Sequence, residues 1–353
     1  MRKIRILHIL QSDRFSGAEN VVCQIIEIFK DSEIEMAYCS REGQIRETLE
    51  KRNIQYFPMV KLSINEIRRV VKEYRPDIIH AHDFTASMLC TFSVSVPIIS
   101  HLHNNAPWIK KYGVKSFAFL LTCFRYKRIL IVSDSIVNEY VFGSLINKKT
   151  VTIGNPIDTS IIRRKSGLKK SGKCYDIAFM GRLAAPKNPI RFIKLVQKLL
   201  PKKPDIKVIM IGDGKLRLEC EQLIEELKLQ ETITMLGFQE NPFPIISRSK
   251  LLCMTSEWEG FGLAAVEAMT LGVPVVCANV GGLKQIINSQ CGMLCDNDYE
   301  FVVELYKLLT NSKYLQDKSI EAIMQSKNFD NLFKYRETLR KEYLDGCYGD
   351  LLM

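Results

Sequence analysis

Short apolar runs typical of β-strands alternate with stretches of helical periodicity along most of this 353-residue chain. Seven such runs occur before residue 154, and six occur between residues 175 and 295. Because parallel strands need a crossover segment between them, usually a helix, this alternation predicts an α/β fold around parallel sheets. A chain of this length can form two domains of ordinary size. We therefore predict two doubly wound, Rossmann-like domains, in which ligands bind beyond the carboxyl ends of the strands.

A basic segment without either periodicity indicates the division between the two predicted domains. Residues 161–173 contain six Lys or Arg residues and no Asp or Glu. We predict a first domain over residues 1–160, a linker over 161–173 and a second domain over 174–330. The remaining residues, 331–353, are predicted to form a terminal helix with charged faces.

The segment 254–277, MTSEWEGFGLAAVEAMTLGVPVVC, combines a glycine-rich loop with a helix and places one glutamate in each. Glu259 lies in the loop, and Glu267 lies in a helix predicted over Gly262–Met269. The free amides and the dipole at the start of such a helix attract an anion such as a diphosphate. A carboxylate accepts hydrogen bonds from a diol such as a ribose. The spacing therefore indicates a nucleotide-sugar site, although an acidic loop before an ordinary amphipathic helix would have the same spacing.

Two cations follow the first predicted strand of the second domain. Arg182 and Lys187 are five residues apart in FMGRLAAPKN, a loop that contains glycine and proline. The forked guanidinium and the ammonium both suit the charge of a diphosphate, whereas a solvated loop is the alternative when they are considered alone. The nearby Gly212 and Gly214 lack the third glycine of a dinucleotide-binding fingerprint, because Arg217 stands at that position.

Four of the five histidines end two strands of the predicted first domain, where a ligand site is expected. His80 and His82 end one strand, in PDIIHAHD, and His101 and His103 end another, in ISHLHN. We expect the two members of each pair to point in opposite directions, so that one of each pair reaches the ligand site. A zinc site is the competing interpretation, but it lacks the support of a Glu-x-x-His pattern.

The segment Glu259–Glu267 within EGFGLAAVEAM resembles the E-x7-E signature of retaining glycosyltransferases of family 4. Arg182 and Lys187 resemble the family's G-R-x4-K motif, with Asn188 where glycine is common. The loop QSDRFSGAEN resembles its Gly-Gly-Ala-Glu loop, with Ser16 in place of the first glycine, a change that we expect to stiffen the loop slightly. The resemblance covers nearly the full chain. It implies the GT-B fold, in which two Rossmann-like domains face one another across a cleft and the terminal helix crosses back to the first domain.

The resemblance implies an enzyme that moves a sugar, with retention, from a nucleotide diphosphate sugar to a hydroxyl of a saccharide acceptor. UDP is the commonest donor nucleotide in the family. The departing phosphate oxygen is thought to take the acceptor proton, and cationic side chains replace a metal, so neither a metal nor another cofactor is expected. The implied catalytic residues are His103, Glu259, Arg182 and Lys187. The implied donor site contains Gly17, Arg182, Lys187, Gly260, Phe261, Gly262, Leu263 and Glu267, with Gly281–Gly282 in a further loop. The implied acceptor side contains Ser16, His82 and Asn104.

The net charge of +11 belongs to the first predicted domain and the linker. Basic residues surround FAFLLTCF, residues 117–124, and no acidic residue lies between Asn104 and Ile131. Such a segment can rest on anionic lipid, or it can be a core-packed helix with basic ends. We therefore expect a polyprenyl-linked acceptor, in the synthesis of capsule, cell wall or lipopolysaccharide, and a cytoplasmic protein that associates with the inner face of the membrane. Nucleic acid is not an expected partner, because no nucleic-acid-binding motif accompanies the charge.

Two other functions are compatible with the same fold. A nucleotide-sugar 2-epimerase would need no acceptor, and a catalytically idle subunit would bind a sugar nucleotide in support of a partner. The presence of Arg182, Lys187, Glu259 and His103 argues against the idle subunit. The start, MRKIRILHIL, does not resemble a signal peptide, and no apolar run is long and uncharged enough to span a bilayer. The eleven cysteines lie mostly in apolar runs and are predicted to be buried free thiols.

Overall fold

The computed structural model describes residues 2–167 and 174–348, which form two compact α/β units. The first unit comprises Met1–Pro156 and Asn331–Met353, and the second comprises Ile157–Asp330. All thirteen predicted strands are present, seven in one sheet and six in the other. Every strand pair in both sheets is parallel, as the alternation of strands and helices predicts.

The first unit contains a seven-stranded sheet in the order β3-β2-β1-β4-β5-β6-β7. Its strands are β1 Ile4–Ile9, β2 Ile34–Arg41, β3 Tyr56–Met59, β4 Ile78–His82, β5 Ile98–Leu102, β6 Tyr126–Ile131 and β7 Thr150–Thr152. The order reverses between β1 and β4, so the loops that follow these two strands diverge and leave a crevice at their carboxyl ends. The helices between the strands are α1 Gly17–Ile28, α2 Ile45–Lys51, α3 Ile64–Tyr74, α4 Asp83–Ser93, α5 Val114–Thr122, α6 Ser135–Glu139 and α7 Gly143–Ile146.

The second unit has a six-stranded sheet in the order β10-β9-β8-β11-β12-β13, which reverses between β8 and β11. After helix α8, Thr159–Lys165, its strands are β8 Tyr175–Met180, β9 Val208–Ile211, β10 Ile233–Gly237, β11 Ser249–Met254, β12 Val275–Ala278 and β13 Gly292–Cys295. The helices that follow are α9 Pro189–Leu199, α10 Arg217–Glu226, α11 Phe243–Ile246, α12 Leu263–Thr270, α13 Leu283–Ile286, α14 Asp298–Thr310 and α15 Ser312–Ser326.

Both faces of the second sheet are covered by packed side chains. Ile177 and Phe179 of β8 lie in one apolar cluster, and Ala178 between them lies in the cluster on the opposite face. Successive side chains of a strand point to opposite faces, so burial on both sides requires a continuous apolar run rather than an alternating one. This is why the strands of the chain are recognisable as short, unbroken apolar segments.

The predicted linker over 161–173 is partly wrong, because its first residues belong to a helix of the second unit. The Asp158 carboxylate accepts a hydrogen bond from the Ile161 amide at 2.9 Å and so caps the start of α8. Ile162 is buried in the core of the second unit. Three of the six basic residues that suggested a linker, Arg163, Arg164 and Lys165, occupy the last turn of α8, where positive charge is favourable. Residues 168–173 of that segment lie outside the described residues.

Helix α16, Leu332–Tyr348, belongs to the first unit. Tyr335, Leu339 and Tyr343 are fully buried and are spaced four residues apart, so they form the apolar face of the helix. Glu342 of the same helix pairs with Arg128 of β6 at 3.0 Å. These contacts attach the end of the chain to the first sheet.

Two further expectations concern thiols and membrane spans. All eleven cysteines are free, and nine of them are buried, as their apolar surroundings predict. Among the described residues, none of the helices has the length and apolar character that crossing a bilayer requires.

Candidate functional site

The predicted helix with Glu267 begins one residue later than expected, as α12, Leu263–Thr270. Gly262 precedes it with a φ of 111°, and a Cβ atom at this position would lie 2.8 Å from Leu283 Cδ2. Both the left-handed backbone and the close approach of α13 require glycine here. Ala265 and Val266 donate their amides to the Gly262 carbonyl at 2.9 and 3.3 Å. Among the described residues the amides of Leu263 and Ala264 make no hydrogen bond, so these two can donate to a ligand.

Glu267 is partly exposed on α12, yet it is surrounded closely enough to be largely desolvated. Burial raises the pKa of its carboxyl to about 7, and Lys165 of α8 has a smaller opposite effect. Within the described residues the carboxylate makes no hydrogen bond or ion pair. A glutamate held in this way can accept hydrogen bonds from a ligand.

Lys187 and Glu259, two predicted site residues far apart in the chain, form an ion pair. Lys187 ends a 3₁₀ turn, Ala185–Lys187, after β8, and Glu259 lies in the loop after β11. The Ser256 hydroxyl also donates to the Glu259 carboxylate at 3.3 Å. Because β8 and β11 are neighbours where the order of the sheet reverses, the pair lies at the expected ligand position for this fold.

The loops that contain Lys187 and Glu259 are joined by hydrogen bonds. The Thr255 hydroxyl lies 3.1 Å from the Lys187 carbonyl oxygen and 2.8 Å from that of Asn188. The Glu257 amide donates to the Pro186 carbonyl at 2.9 Å. Asn188 has a φ of 45°, and its side chain caps α9 by accepting from the Arg191 amide at 3.1 Å. Asparagine tolerates this left-handed conformation better than other side chains, which explains why it can replace the family's glycine.

The glycines of the loop after β9 have a packing role. A Cβ atom on Gly212 would lie 2.0 Å from the Gly181 carbonyl oxygen, and one on Gly214 would lie 2.3 Å from that of Leu183. The Leu183 amide donates to the Asp213 carbonyl at 2.9 Å. These contacts fix the backbone on both sides of Arg182, whose side chain is exposed and has no ion pair within the described residues.

The loop after β12, which contains Gly281 and Gly282, packs against the loop of Glu259. The Gly282 amide donates to the Glu259 carbonyl at 3.0 Å. A Cβ atom on Gly282 would lie 2.4 Å from the Gly260 carbonyl oxygen and 2.6 Å from that of Phe261. Glycine is therefore needed at position 282 for close backbone packing against the loop of Glu259.

In the first unit, all five histidines of the chain form one cluster on β1, β4 and β5. The ring centroids of His80 and His82 are 4.3 Å apart, and those of His101 and His103 are 4.1 Å apart. The prediction that each pair points in opposite directions is wrong. Residues two apart on a strand share a face, so both members of each pair join the cluster. His8 joins them from β1, where it lies opposite His80.

Hydrogen bonds between ring nitrogens connect the cluster in two chains. His80 Nδ1 lies 2.7 Å from the Tyr343 hydroxyl, and His80 Nε2 lies 3.2 Å from His101 Nδ1. His82 lies 2.9 Å from His8 and 2.8 Å from His103 through its two nitrogens. Burial lowers the pKa of His8 and of His103 to about 3 and the pKa values of the other three well below the usual range. All five rings are therefore neutral at pH 7.

Neutral imidazoles are the form that binds metals, and two groups of three histidines have ligand atoms within 4.8 Å of one another. Their rings, however, are mostly stacked, and their nitrogens are paired with one another in hydrogen bonds. Lone pairs on stacked rings do not converge on a common point, as tetrahedral zinc requires. The geometry thus favours a hydrogen-bonded network over the competing metal site.

His103 is the member of the cluster that is partly exposed, together with Asn104 after β5. Its backbone amide donates to Asp83 Oδ1 at 2.9 Å. Asp83 follows β4 and has a φ of 64°, an unfavourable conformation for aspartate that is often found at functional sites. These residues lie at the carboxyl ends of β4 and β5, beside the point where the order of the first sheet reverses.

Ser16 and Gly17 lie after β1, at the start of α1. Ser16 has an extended backbone, with a φ of −153°, and its hydroxyl donates to the Glu19 carboxylate three residues later. This backbone conformation does not need glycine, so the serine fits without strain. A Cβ atom on Gly17 would meet no atom within 4 Å, so packing within the chain does not require glycine there.

His8, Asp83 and Tyr343 are the residues of this site that sequence reasoning missed. His8 lies in the middle of the first strand, and Tyr343 lies more than 200 residues from the histidine that it contacts. Of the three, only Asp83 could have been predicted from the sequence, because it directly follows the strand that His80 and His82 end, in PDIIHAHD.

Two family models match adjoining parts of the chain. The model described as Glycosyltransferase Family 4 matches residues 15–161, and the model described as Glycosyl transferases group 1 matches residues 159–325. Together they include the loop after β1, the histidine pairs and the loops after β8 and β11.

Individual relatives extend over almost the whole chain. A UDP-Gal:alpha-D-GlcNAc-diphosphoundecaprenol alpha-1,3-galactosyltransferase of Escherichia coli is 22% identical over 97% of both chains. A lipopolysaccharide 1,6-galactosyltransferase of Escherichia coli K12 is 24% identical over 91% of this chain and 94% of its own length. The crystal structure of Anabaena HepE in complex with UDP-glucose matches 96% of this chain and 98% of its own, with a TM-score of 0.82 at 18% identity.

Proposed function

Because this chain belongs to the glycosyltransferases of family 4 and has the GT-B fold, we propose that it transfers a sugar, with retention, from a UDP-sugar to a hydroxyl of a lipid-linked saccharide. The observation that carries the proposal is the joining of the loops after β8 and β11 in the second unit. They combine Arg182 and Lys187 with Glu259 and the start of α12, and Glu267 follows in the same helix. Cations, free amides and a carboxylate without a partner in the described residues are the groups that a nucleoside diphosphate requires.

The choice of UDP is supported by named relatives. The Escherichia coli galactosyltransferase is named for UDP-Gal, and HepE was crystallised with UDP-glucose. We assign the ribose diol to Glu267, because its carboxylate has all its acceptor positions available. We assign the diphosphate to Arg182, Lys187 and the amides of Gly260–Leu263, with Gly17 of the first unit as a further donor contact.

In the proposed reaction, the bond between the sugar C1 and the diphosphate oxygen breaks, and the diphosphate leaves with the electron pair. The acceptor hydroxyl attacks the same face of the sugar and passes its proton to the leaving oxygen. Arg182 and Lys187 stabilise the charge that develops on this oxygen, so no metal is needed in the proposed mechanism. Lys187 is neutralised by Glu259 in the free protein, so the diphosphate competes with Glu259 for the ammonium. His103 and Glu259 are proposed to contact the transferred sugar, and Ser16, His82 and Asn104 to lie on the acceptor side.

Thermal unfolding of the protein with UDP, GDP, ADP or CMP tests the donor site. We expect selective stabilisation by UDP, and its loss in Glu267→Ala and in Arg182→Ala. Glu226→Ala, which removes an exposed glutamate of α10, is the matched control and should respond to UDP like the wild type. A folded protein that none of the four nucleotides stabilises would contradict the proposal. Release of UDP only when acceptor is present separates a transferase from an epimerase and from an idle subunit.

The lipid-linked acceptor is supported by helix α5 of the first unit. One face of this helix is packed in the core, where Phe119 contacts Phe84 with ring centroids 4.8 Å apart. The opposite face has exposed apolar residues, because Phe117 and Leu121 are 53% and 54% exposed and Phe124 beyond the helix is 73% exposed. Helix α5 thus packs in the core through one face and exposes apolar side chains on the other. A core-packed helix and a segment that rests on anionic lipid are therefore compatible interpretations.

Basic residues adjoin this exposed apolar face. Lys111 and Lys115 are exposed at the start of the segment, whereas Lys110 and Arg128 are paired with Glu139 and Glu342 at 3.1 and 3.0 Å. Exposed aromatic and aliphatic side chains beside exposed lysines are typical of proteins that bind anionic lipid. We therefore propose that α5 contacts the membrane that holds the acceptor.

Flotation with liposomes tests this contact. We expect salt-sensitive association with anionic liposomes, and its loss in the double variant Phe117→Ser, Leu121→Ser. Leu218→Ser removes an even more exposed leucine, 66% exposed on α10 of the second unit, and should leave association unchanged. If the wild type does not associate with anionic liposomes at low salt, the membrane part of the proposal is wrong, and the donor part is unaffected.

A further inference from the structure

A continuous chain of hydrogen bonds leads from the buried strand β2 to His103. Met36 Sδ lies 3.4 Å from His8 Nε2. His8 Nδ1 lies 2.9 Å from His82 Nε2, and His82 Nδ1 lies 2.8 Å from His103 Nε2. Met36, His8 and His82 are buried, and only the last member, His103, is partly exposed.

The thioether at the buried end determines the direction of every hydrogen bond in this chain. A neutral imidazole has one N–H donor and one lone pair, and burial keeps these three rings neutral. A thioether has no hydrogen to donate, so His8 Nε2 must carry the proton. His8 Nδ1 is then an acceptor, and His82 Nε2 must donate to it. His82 Nδ1 is in turn an acceptor, and His103 Nε2 must donate to it.

We propose that Met36, His8 and His82 are positioning residues that hold His103 in its Nε2–H tautomer, so that its Nδ1 lone pair accepts a hydrogen bond from a hydroxyl of the transferred sugar. In the described residues His103 Nδ1 has no hydrogen-bond partner. The opposite direction would leave a lone pair of His8 facing the sulfur lone pairs, without a proton between them. The role of the accepting nitrogen rests on the proposed function of His103, whereas the assignment of the tautomer does not.

The tautomers can be measured directly by NMR. Long-range proton–nitrogen correlation spectra of protein labelled with ¹⁵N-histidine distinguish protonated from unprotonated ring nitrogens, and single His→Gln variants assign the signals. At pH 7.5 we expect protonated Nε2 and unprotonated Nδ1 for His8, His82 and His103. A wild-type spectrum in which His103 is protonated at Nδ1 would overturn the proposal without the need for any variant.

Met36→Leu removes the acceptor while preserving an apolar side chain of similar volume. We expect the His103 signals to become those of a tautomer mixture, and kcat/KM to fall about three- to tenfold, the ratio that corresponds to one hydrogen bond of ordinary net strength. Met59→Leu, a buried methionine of the same unit, is the control for loss of methionine, and Tyr343→Phe is the control for the other histidine chain. Both should preserve the His103 tautomer.

The tautomer of His103 and its contact with the sugar are tested separately. If folded Met36→Leu leaves the ring-nitrogen signals of His103 unchanged, the thioether does not set the tautomer and the proposal is wrong. If the tautomers are as expected but His103→Ala retains full transferase activity, the proposed function of His103 is wrong. In that case the proposed contact with the sugar fails, and the hydrogen-bonded chain remains as a feature of the fold.

Discussion

Replacement of Glu267 by glutamine should stabilise the ligand-free protein at alkaline pH while weakening its response to UDP. Glu267 has its pKa raised from 4.5 to about 7 by burial. Between these two pH values the native state binds more protons than the unfolded state, so stability falls as the pH rises through this window. Above pH 7 the folded protein carries a desolvated carboxylate. Glutamine has nearly the same shape and no charge, so it avoids this cost.

The magnitude follows from the displacement of the pKa. A shift from 4.5 to about 7 corresponds to about 3 kcal/mol of unfolding free energy. Because Glu267 is partly exposed and the solvent relaxes around it, we expect a gain of about 1–3 kcal/mol for Glu267→Gln at pH 8.5. For a unit of this size, such a gain raises the midpoint of thermal unfolding by several degrees. At pH 4.5 the wild-type carboxyl is half protonated in the unfolded state and neutral in the native state, so the difference should be small.

Differential scanning fluorimetry at a series of pH values from 4.5 to 8.5 measures this effect. Glu226→Gln, on the exposed surface of α10, is the matched control and should give the same small difference at every pH. With saturating UDP at pH 8.5, the wild type should gain more stability than Glu267→Gln, because glutamine offers fewer acceptor positions to the ribose diol. If Glu267→Gln unfolds at or below the wild-type midpoint at pH 8.5, the Glu267 carboxylate is not destabilising in the folded protein and this prediction is wrong.

Three further predictions concern the same unit. Below pH 7 the affinity of the wild type for UDP, measured by calorimetry, should fall up to about tenfold per pH unit, because only the ionised Glu267 carboxylate accepts both ribose hydroxyls. Glu267→Gln should show a weaker pH dependence. Equal slopes in the two proteins would exclude Glu267 as the group that binds the ribose. Glu259→Gln should bind UDP about two- to fivefold more tightly, because Lys187 no longer pairs with a carboxylate. The same variant should transfer sugar more slowly. Weaker binding of UDP would show instead that Glu259 contacts the nucleotide favourably. Gly282→Ala should lower the unfolding free energy of the second unit by about 2 kcal/mol or more in chemical denaturation, because the added Cβ would lie 2.4 Å from the Gly260 carbonyl oxygen. Gly113→Ala of the first unit is the control: its added Cβ meets no atom within 4 Å, so it should cost only the ~1 kcal/mol or less of a changed N-cap of α5.

The elements of the fold could be predicted well from local patterns. All thirteen apolar runs that were predicted as strands are strands, and α12 differs from its predicted range, Gly262–Met269, by one residue at each end. Short apolar runs and glycine-terminated helices are local signals, because the neighbours that they require are near in the chain. The helix over Thr159–Lys165 was missed because the segment that contains it shows neither strand nor helical periodicity, and because the three basic residues of its last turn are typical of a linker.

The candidate site residues of the second unit were predicted from motifs, whereas their contacts with one another could not be predicted. The motif with Arg182 and Lys187 and the motif with Glu259 and Glu267 were both identifiable from the sequence. The ion pair between Lys187 and Glu259 depends on the adjacency of β8 and β11, which are separated by two other strands in the chain. The packing roles of Gly212, Gly214 and Gly282 were likewise invisible, because they are set by backbone atoms of distant loops.

The histidine cluster depends partly on local sequence and partly on tertiary structure. The shared face of His80 and His82, and likewise of His101 and His103, follows from the strand period alone, because residues two apart on a strand share a face. Our prediction of opposite directions misapplied this period, and no tertiary information was needed to avoid that error. The meeting of these two pairs with His8 and Tyr343 was decided by the strand order β1-β4-β5 and by the return of α16 to the first sheet. The register sets His8 opposite His80, and His82 opposite His101. Strand order and register result from the packing of whole helices and sheets, so no local pattern of residues contains them.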